Sequence, residues 1–171
     1  MGIIKKNKRG VSLVELMAAI VIMGIASTAI TSMVITSYRG QIRAQQYVLS
    51  KEMAKTYDSM LARDISRANL QAIDDDLLRN DDPTDKYVVV TQELLQKLVK
   101  INDTEYAPIY NYLYSSNTAD HFQLNDMVFD SSNVELKIYV LSKSFGYFKT
   151  EITVSYSQNR QVTYNGTHFT E

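Results

Sequence analysis

The sequence predicts an α+β protein in which one long N-terminal helix packs on a small antiparallel β-sheet. Residues 16–38 carry no charged side chain, which predicts a first helical half that is apolar on every side. Beyond them, apolar residues recur every three or four positions as far as Ala68, the spacing of one helix face. Two later segments alternate apolar and polar residues, as half-buried antiparallel strands do.

The first ten residues form a basic tail that ends at a glycine. Lys5, Lys6, Lys8 and Arg9 carry four positive charges, whereas the whole chain has a formal net charge of −1. Basic residues beside a membrane span stay on the cytoplasmic side, so we expect the N-terminus inside and the rest of the chain exported. The remainder is mildly acidic and lacks the basic footprint of a nucleic-acid-binding protein.

Glu15 is the carboxylate that precedes the uncharged run. The run is long enough to cross a bilayer, which takes about 20 apolar residues. Ser12 and Glu15 have the spacing of a capping box, which explains the glutamate structurally. Charged groups inside membrane spans are costly and usually functional, so a functional role stays open beside the structural one. An ordinary secretory signal is disfavoured because its apolar region usually runs to about 7–15 residues.

The helix is expected to run without proline from Val11 to about Ile73, with only Gly24 and Gly40 weakening it. Its apolar face is predicted to cover the sheet. That face consists of Ile42, Leu49, Met53, Tyr57, Met60, Leu61, Ile65 and Ala68. The opposite face is predicted to be solvated, and it carries Arg43, Lys51, Glu52, Lys55, Asp58, Arg63, Asp64 and Arg67.

The C-terminal part is predicted to be a small sheet domain. An acidic loop spans residues 74–85; calcium binding is the alternative, but the spaced order of a calcium loop is missing. Pro108 argues for an edge strand or irregular segment over 105–114. In it, Tyr110, Tyr112 and Tyr114 would project to one side as packing residues, with an adhesive patch as the alternative. The remaining expected elements are strands over 87–91, 121–129, 134–141, 147–156 and 160–164, a helix over 92–100 and a turn over 142–146.

Several kinds of chemistry are excluded or unsupported. The chain has no cysteine, which rules out disulfides, thiolate metal sites and cysteine nucleophiles. Its two histidines, His121 and His168, lack the spacing of metal ligands. Residues 165–167 fit a glycosylation sequon, but this short pattern is common by chance. We therefore expect no enzymatic activity and no cofactor.

The residues around Gly10 resemble the class III leader of type IV pilins and pseudopilins. The family pattern is a glycine, usually a phenylalanine, then Thr/Ser-Leu-hydrophobic-Glu. Gly10, Ser12, Leu13 and Glu15 match it. Val11 stands in place of the usual phenylalanine, a substitution seen more among minor subunits. The long helix followed by a small sheet extends the resemblance over the whole chain and implies the type IV pilin fold.

The resemblance implies four segments: a leader over residues 1–10, a transmembrane and filament-core half over 11–38, an amphipathic half over 39–73, and a globular head over 74–171. It further implies cleavage after Gly10 by a prepilin peptidase and N-methylation of Val11. Glu15 would then meet the N-terminal ammonium of a neighbouring subunit during assembly. The implied partners are that peptidase, other pilin subunits and the assembly machinery of the cytoplasmic membrane.

Residues 60–68 give a second, weaker resemblance, to the Arg-Asp-Leu-Arg-x-Ala stretch of J-type minor pseudopilins and W-type minor pilins. A salt-bridged solvated helix face is the alternative explanation for it. The expected function is that of a structural subunit, a minor pilin in filament initiation, tip assembly or adhesion. The alternatives are a pseudopilin of a type II secretion or DNA-uptake system, and a single-pass anchored binding or sensor domain that does not polymerise.

Overall fold

The computed structural model describes residues 12–72, 87–102, 105–124, 127–157 and 159–170. By its contacts the chain divides into two compact units, Met1–Ala44 and Gln45–Glu171. The acidic stretch over residues 74–85, for which calcium binding was the alternative, lies outside the described residues.

Helix α1 spans Leu13–Asp64 and is followed by the short helix α2, Arg67–Ala72. The helix therefore ends earlier than the predicted Ile73. Ile65 still donates its backbone N–H to Leu61 at 3.0 Å, but the Ser66 side chain accepts the backbone N–H of Asn69 at 3.1 Å. A serine in this position caps the start of a new helix, and this competing cap explains a break that contains neither proline nor glycine.

The main sheet has four strands in the order β1-β4-β5-β6, with antiparallel pairing throughout. Strand β1 is Val88–Val89, β4 is Val134–Ser142, β5 is Tyr147–Ser157 and β6 is Arg160–Phe169. A second, two-stranded sheet pairs β2, Phe122–Leu124, with β3, Met127–Phe129. The predicted late strands are thus confirmed, and β6 is twice the length expected.

Two short helices lie between β1 and β2. Helix α3 spans Gln92–Leu98 and begins at Thr91, whose side chain accepts the backbone N–H of Leu94. Helix α4 spans Pro108–Tyr114. The edge strand or irregular segment predicted for this stretch is therefore wrong, because proline is well suited to the first turn of a helix, where its missing N–H has no partner to lose.

The tyrosines of α4 consequently do not share one side of an extended segment. Tyr110 lies between Tyr106 and Tyr114, with ring centroids 4.9 Å and 5.7 Å away. Tyr112 instead packs against Phe122, 4.1 Å between centroids. The helical spacing of three to four residues sorts these rings onto different faces.

The core lies between the later turns of α1 and the inner face of the main sheet. Tyr57 and Leu61 from the helix are fully buried with Phe148 and Ile152 from β5. The α+β fold with a long helix packed on a small antiparallel sheet is therefore confirmed, and it agrees with the type IV pilin fold.

Two acidic residues assigned to the solvated face of α1 are in fact buried. Asp58 is 5% exposed. The Asp64 side chain is 6% exposed and pairs with Arg63 at 2.7 Å. The prediction of a solvated face is wrong at these two positions, because a 3.6-residue repeat places Asp58 beside the apolar face and Asp64 within it.

Candidate assembly segment

The first turn of α1 is capped by two side chains, those of Glu15 and Ser12. The Glu15 Oε2 accepts the backbone N–H of Ser12 at 3.1 Å, and the Ser12 Oγ accepts the backbone N–H of Val14 at 3.3 Å. Two N–H groups that the helix itself cannot satisfy are thereby paired. The capping role expected from the sequence is present in the structure.

The leader lies outside the described residues. This applies to Gly10 and Val11, the predicted cleavage and methylation positions, and to the basic residues Lys5, Lys6, Lys8 and Arg9. Their roles stay predictions.

The surface of α1 over residues 13–38 is exposed and, apart from Glu15, uncharged and largely apolar. Its large side chains include Leu13, Leu16, Ile20 and Met33, which are between 53% and 74% exposed. Among the described residues, α1 is the one helix long and apolar enough to cross a membrane. An exposed apolar surface of this kind needs lipid or other apolar helices around it.

Hydroxyl side chains within this apolar stretch bond to their own helix. Thr31 and Thr36 donate to the carbonyls of Ser27 and Ser32, each at 2.8 Å. Ser27, Thr28 and Ser32 make equivalent bonds to carbonyls three or four residues earlier. Because a polar group in hydrocarbon must be satisfied internally, this back-bonding makes the hydroxyls compatible with a lipid or filament core.

A buried polar cluster in the head was missed at the sequence level. Asp58 on α1 accepts hydrogen bonds from Thr150 on β5 and from His168 Nε2 on β6, the latter at 2.7 Å. The same His168 Nε2 lies 3.3 Å from the Thr150 hydroxyl. A catalytic triad needs the two imidazole nitrogens to face different partners, so this arrangement is not a hydrolytic site.

Metal chemistry finds no support in the described part of the chain. No group of three or more histidine, cysteine, aspartate or glutamate side chains could hold an ion there. The other histidine, His121, places Nδ1 2.7 Å from the backbone carbonyl of Tyr112.

A family model described as the prokaryotic N-terminal methylation motif matches residues 5–31. No curated protein and no solved structure matches the chain. The matched range contains the basic leader, Gly10, Val11 and Glu15, and it reaches well into the apolar part of α1. The motif implies processing by a prepilin peptidase and assembly with other pilins, and together with the apolar helix it fits membrane anchoring. Together with the long helix packed on an antiparallel sheet, the motif supports a type IV pilin- or pseudopilin-like protein.

Proposed function

We propose that this protein is a structural subunit of a type IV pilus, a minor pilin acting in filament initiation, tip assembly or adhesion. The observation that carries the proposal is Glu15, a carboxylate in the first turn of an exposed apolar helix and inside the matched methylation motif. The subunit is held in the cytoplasmic membrane by α1 and then moves with α1 into the core of a filament.

The charge of Glu15 favours association of the helix with a second subunit that carries an ammonium group. Capping occupies its Oε2, and a carboxylate has about four acceptor sites on its two oxygens. Acceptor capacity therefore remains for an ammonium group. Cleavage after Gly10 would create such a group at Val11, and an α-amino group with a pKa near 7.7–8 is largely charged at neutral pH.

Pairing with a neighbour's amino terminus offsets the cost of placing Glu15 in an apolar environment. A carboxylate at the centre of a bilayer costs about 2.5–3.5 kcal/mol or more, and less at the edge. The back-bonded hydroxyls of Thr31 and Thr36 carry no comparable cost, because their hydrogen bonds stay within the helix. Glu15 is thus the group in this region that gains most from a partner outside its own chain.

A minor role is favoured over a major one by features of the sequence. Val11 replaces the phenylalanine usual at that position, and Ser32 stands near the place where major pilins often have a proline. Residues 60–68 resemble the J-type and W-type minor subunits. In the fold, this stretch covers the end of α1 and the beginning of α2.

The test separates the charge of Glu15 from its capping contact. Glu15→Gln keeps an oxygen that can accept the Ser12 N–H but carries no charge. Ser12→Ala, the matched control, removes the hydroxyl cap and leaves the carboxylate. In cells with a prepilin peptidase, we expect the parent chain and both variants to lose residues 1–10 and gain one N-methyl group. Intact-mass spectrometry detects both changes. Glu15→Gln alone should then be absent from sheared filaments or the priming complex.

Three outcomes would contradict the proposal at different points. A parent chain that keeps residues 1–10 in such cells would exclude a pilin altogether, and Gly10→Ala gives the reference for unprocessed protein. Normal incorporation of Glu15→Gln would remove the charge-pairing role. A processed chain that never crosslinks to another pilin would favour the anchored binding or sensor domain.

A further inference from the structure

The C-terminal strand β6 is held to the head with little apolar packing. It is an edge of the main sheet, with β5 as its one neighbour there. Val162 is its one fully buried apolar side chain, and Tyr164 packs partly against the core. On its other side the strand presents polar residues and then Phe169, which is 72% exposed.

Such a strand is poorly protected against slipping along β5. A slip of one residue would exchange its two faces, but a slip of two residues keeps every side chain on the same face. The outward residues Gln161, Thr163, Asn165 and Thr167 are all polar, so a two-residue slip barely changes what they contact. Apolar burial of Val162 and Tyr164 alone discriminates weakly between these registers.

Asp58 makes contacts with β6 that distinguish the observed register from the slipped ones. In the observed register, Gly166 lies opposite Thr150, and Phe148 lies opposite His168. The carboxylate of Asp58 lies over the first of these pairs and accepts hydrogen bonds from both Thr150 and His168. A Cβ atom built on Gly166 would collide with both Asp58 oxygens and with the His168 ring. The carboxylate therefore requires a glycine beneath it.

We propose that Asp58 sets the register of the C-terminal strand through Gly166 and His168. A slip of two residues in either direction places Tyr164 or His168 opposite Thr150, and either side chain needs the space that the carboxylate occupies. The same slip breaks the hydrogen bond between His168 and Asp58, and leaves a buried carboxylate with fewer partners, which is costly. Buried polar groups are known to fix the register of packed elements in this way.

Engineered disulfides in the full-length chain can report the register, because the protein has no cysteine of its own. Lys149 lies opposite Thr167 in the observed register, so a cysteine pair at these positions should crosslink. A pair at Lys149 and Asn165, or at Lys149 and Phe169, becomes opposite only after a two-residue slip. In the observed register such diagonal positions are about 7–8 Å apart, beyond the usual span of a disulfide.

We expect the parent chain in detergent micelles to form the native disulfide and neither slipped one. Asp58→Ala should lower the yield of the native disulfide and allow at least one slipped disulfide, while near-ultraviolet circular dichroism shows a folded head. Thr153→Val is the matched control: it removes another β5–β6 hydrogen bond, the 3.0 Å contact with Thr163, and should leave the register unchanged. A folded Asp58→Ala chain that forms only the native disulfide would overturn the proposal, as would equal slipping in Thr153→Val.

A second measurement covers the case in which Asp58→Ala disturbs folding. Gly166→Ala should lower the melting temperature when Asp58 is present. A new Cβ would also meet the His168 ring, but that ring is released from its bond to Asp58 in an Asp58→Ala or Asp58→Ser chain. Alanine is otherwise preferred to glycine inside a strand, so the same substitution should lower the melting temperature less in these chains. Equal loss of stability in both backgrounds would show that Asp58 does not select glycine, and would also overturn the proposal.

Discussion

Loss of the Tyr57 hydroxyl is expected to weaken the contact between α1 and the small sheet of β2 and β3. Tyr57 is fully buried, its hydroxyl donates to the carbonyl of Phe129 at 3.0 Å, and its ring meets Phe122 edge-on at 5.8 Å. Burial raises the pKa of the phenol above its ordinary value, with Asp130 and Tyr112 adding to the effect. The group is therefore a neutral donor throughout the physiological range.

Tyr57→Phe keeps the ring and removes only the donor, so its cost is that of a buried carbonyl deprived of a hydrogen bond. That cost is about 1–3 kcal/mol. For a folded unit of this size, a melting temperature falls by roughly 4 °C per kcal/mol. We therefore expect a decrease of about 4–12 °C for the full chain in detergent, followed by near-ultraviolet circular dichroism.

The matched control is Tyr47→Phe on the same helix. Tyr47 is 47% exposed, and a surface substitution of this kind is expected to change stability by no more than about 0.5 kcal/mol. A Tyr57→Phe chain that melts within the error of the parent would refute the argument. So would an equal decrease for the two variants, because the effect would then not depend on burial.

Two further substitutions test local features of the head. Thr91→Ala removes the side-chain oxygen that caps α3 at Leu94, and it should lower the free energy of unfolding in urea by about 0.5–2 kcal/mol. Burial acts to raise the pKa of Asp130, but hydrogen bonds from Ser132 hold it below its ordinary value. A lowered carboxyl pKa stabilises the fold above about pH 4 and loses that effect as the pH falls, so Ser132→Ala should destabilise the head at pH 7 and progressively less below pH 4. A constant difference from pH 7 to pH 2 would contradict this.

Periodic segments of the chain were predictable because their pattern reflects one local geometry. The uncharged run after Glu15 and the alternation in β4 and β5 each report a helix or a strand without help from distant residues. Pro108 was ambiguous for a physical reason. Proline suits both an edge strand and the first turn of a helix, and the choice depends on packing of Ile109 and Leu113, which are buried beneath α4.

The burial of Asp58 could not be predicted, because its partners are remote in sequence. Thr150 lies 92 residues away and His168 lies 110 residues away. From the sequence, an aspartate at the margin of an apolar stripe reads as part of the solvated face. One clue was available in the region of β6. Gly166 interrupts a run of residues suited to β-structure, and such a glycine often marks the close approach of another group.

Under the proposed function, Glu15 would hold two roles at the same time, as a cap of its own helix and as the partner of a neighbouring subunit's ammonium. In the structure, the Glu15 carboxylate accepts the backbone N–H of Ser12 at 3.1 Å. Under the proposed function, removal of residues 1–10 would leave that N–H in place and create an ammonium at the preceding residue, which would pair with the carboxylate of a neighbouring subunit. The cap holds Glu15 in one orientation, and an oriented carboxylate loses less side-chain entropy when it binds a partner. Ser12→Ala keeps the backbone N–H that holds Glu15, so this variant should enter filaments as the parent chain does, whereas Glu15→Gln should not.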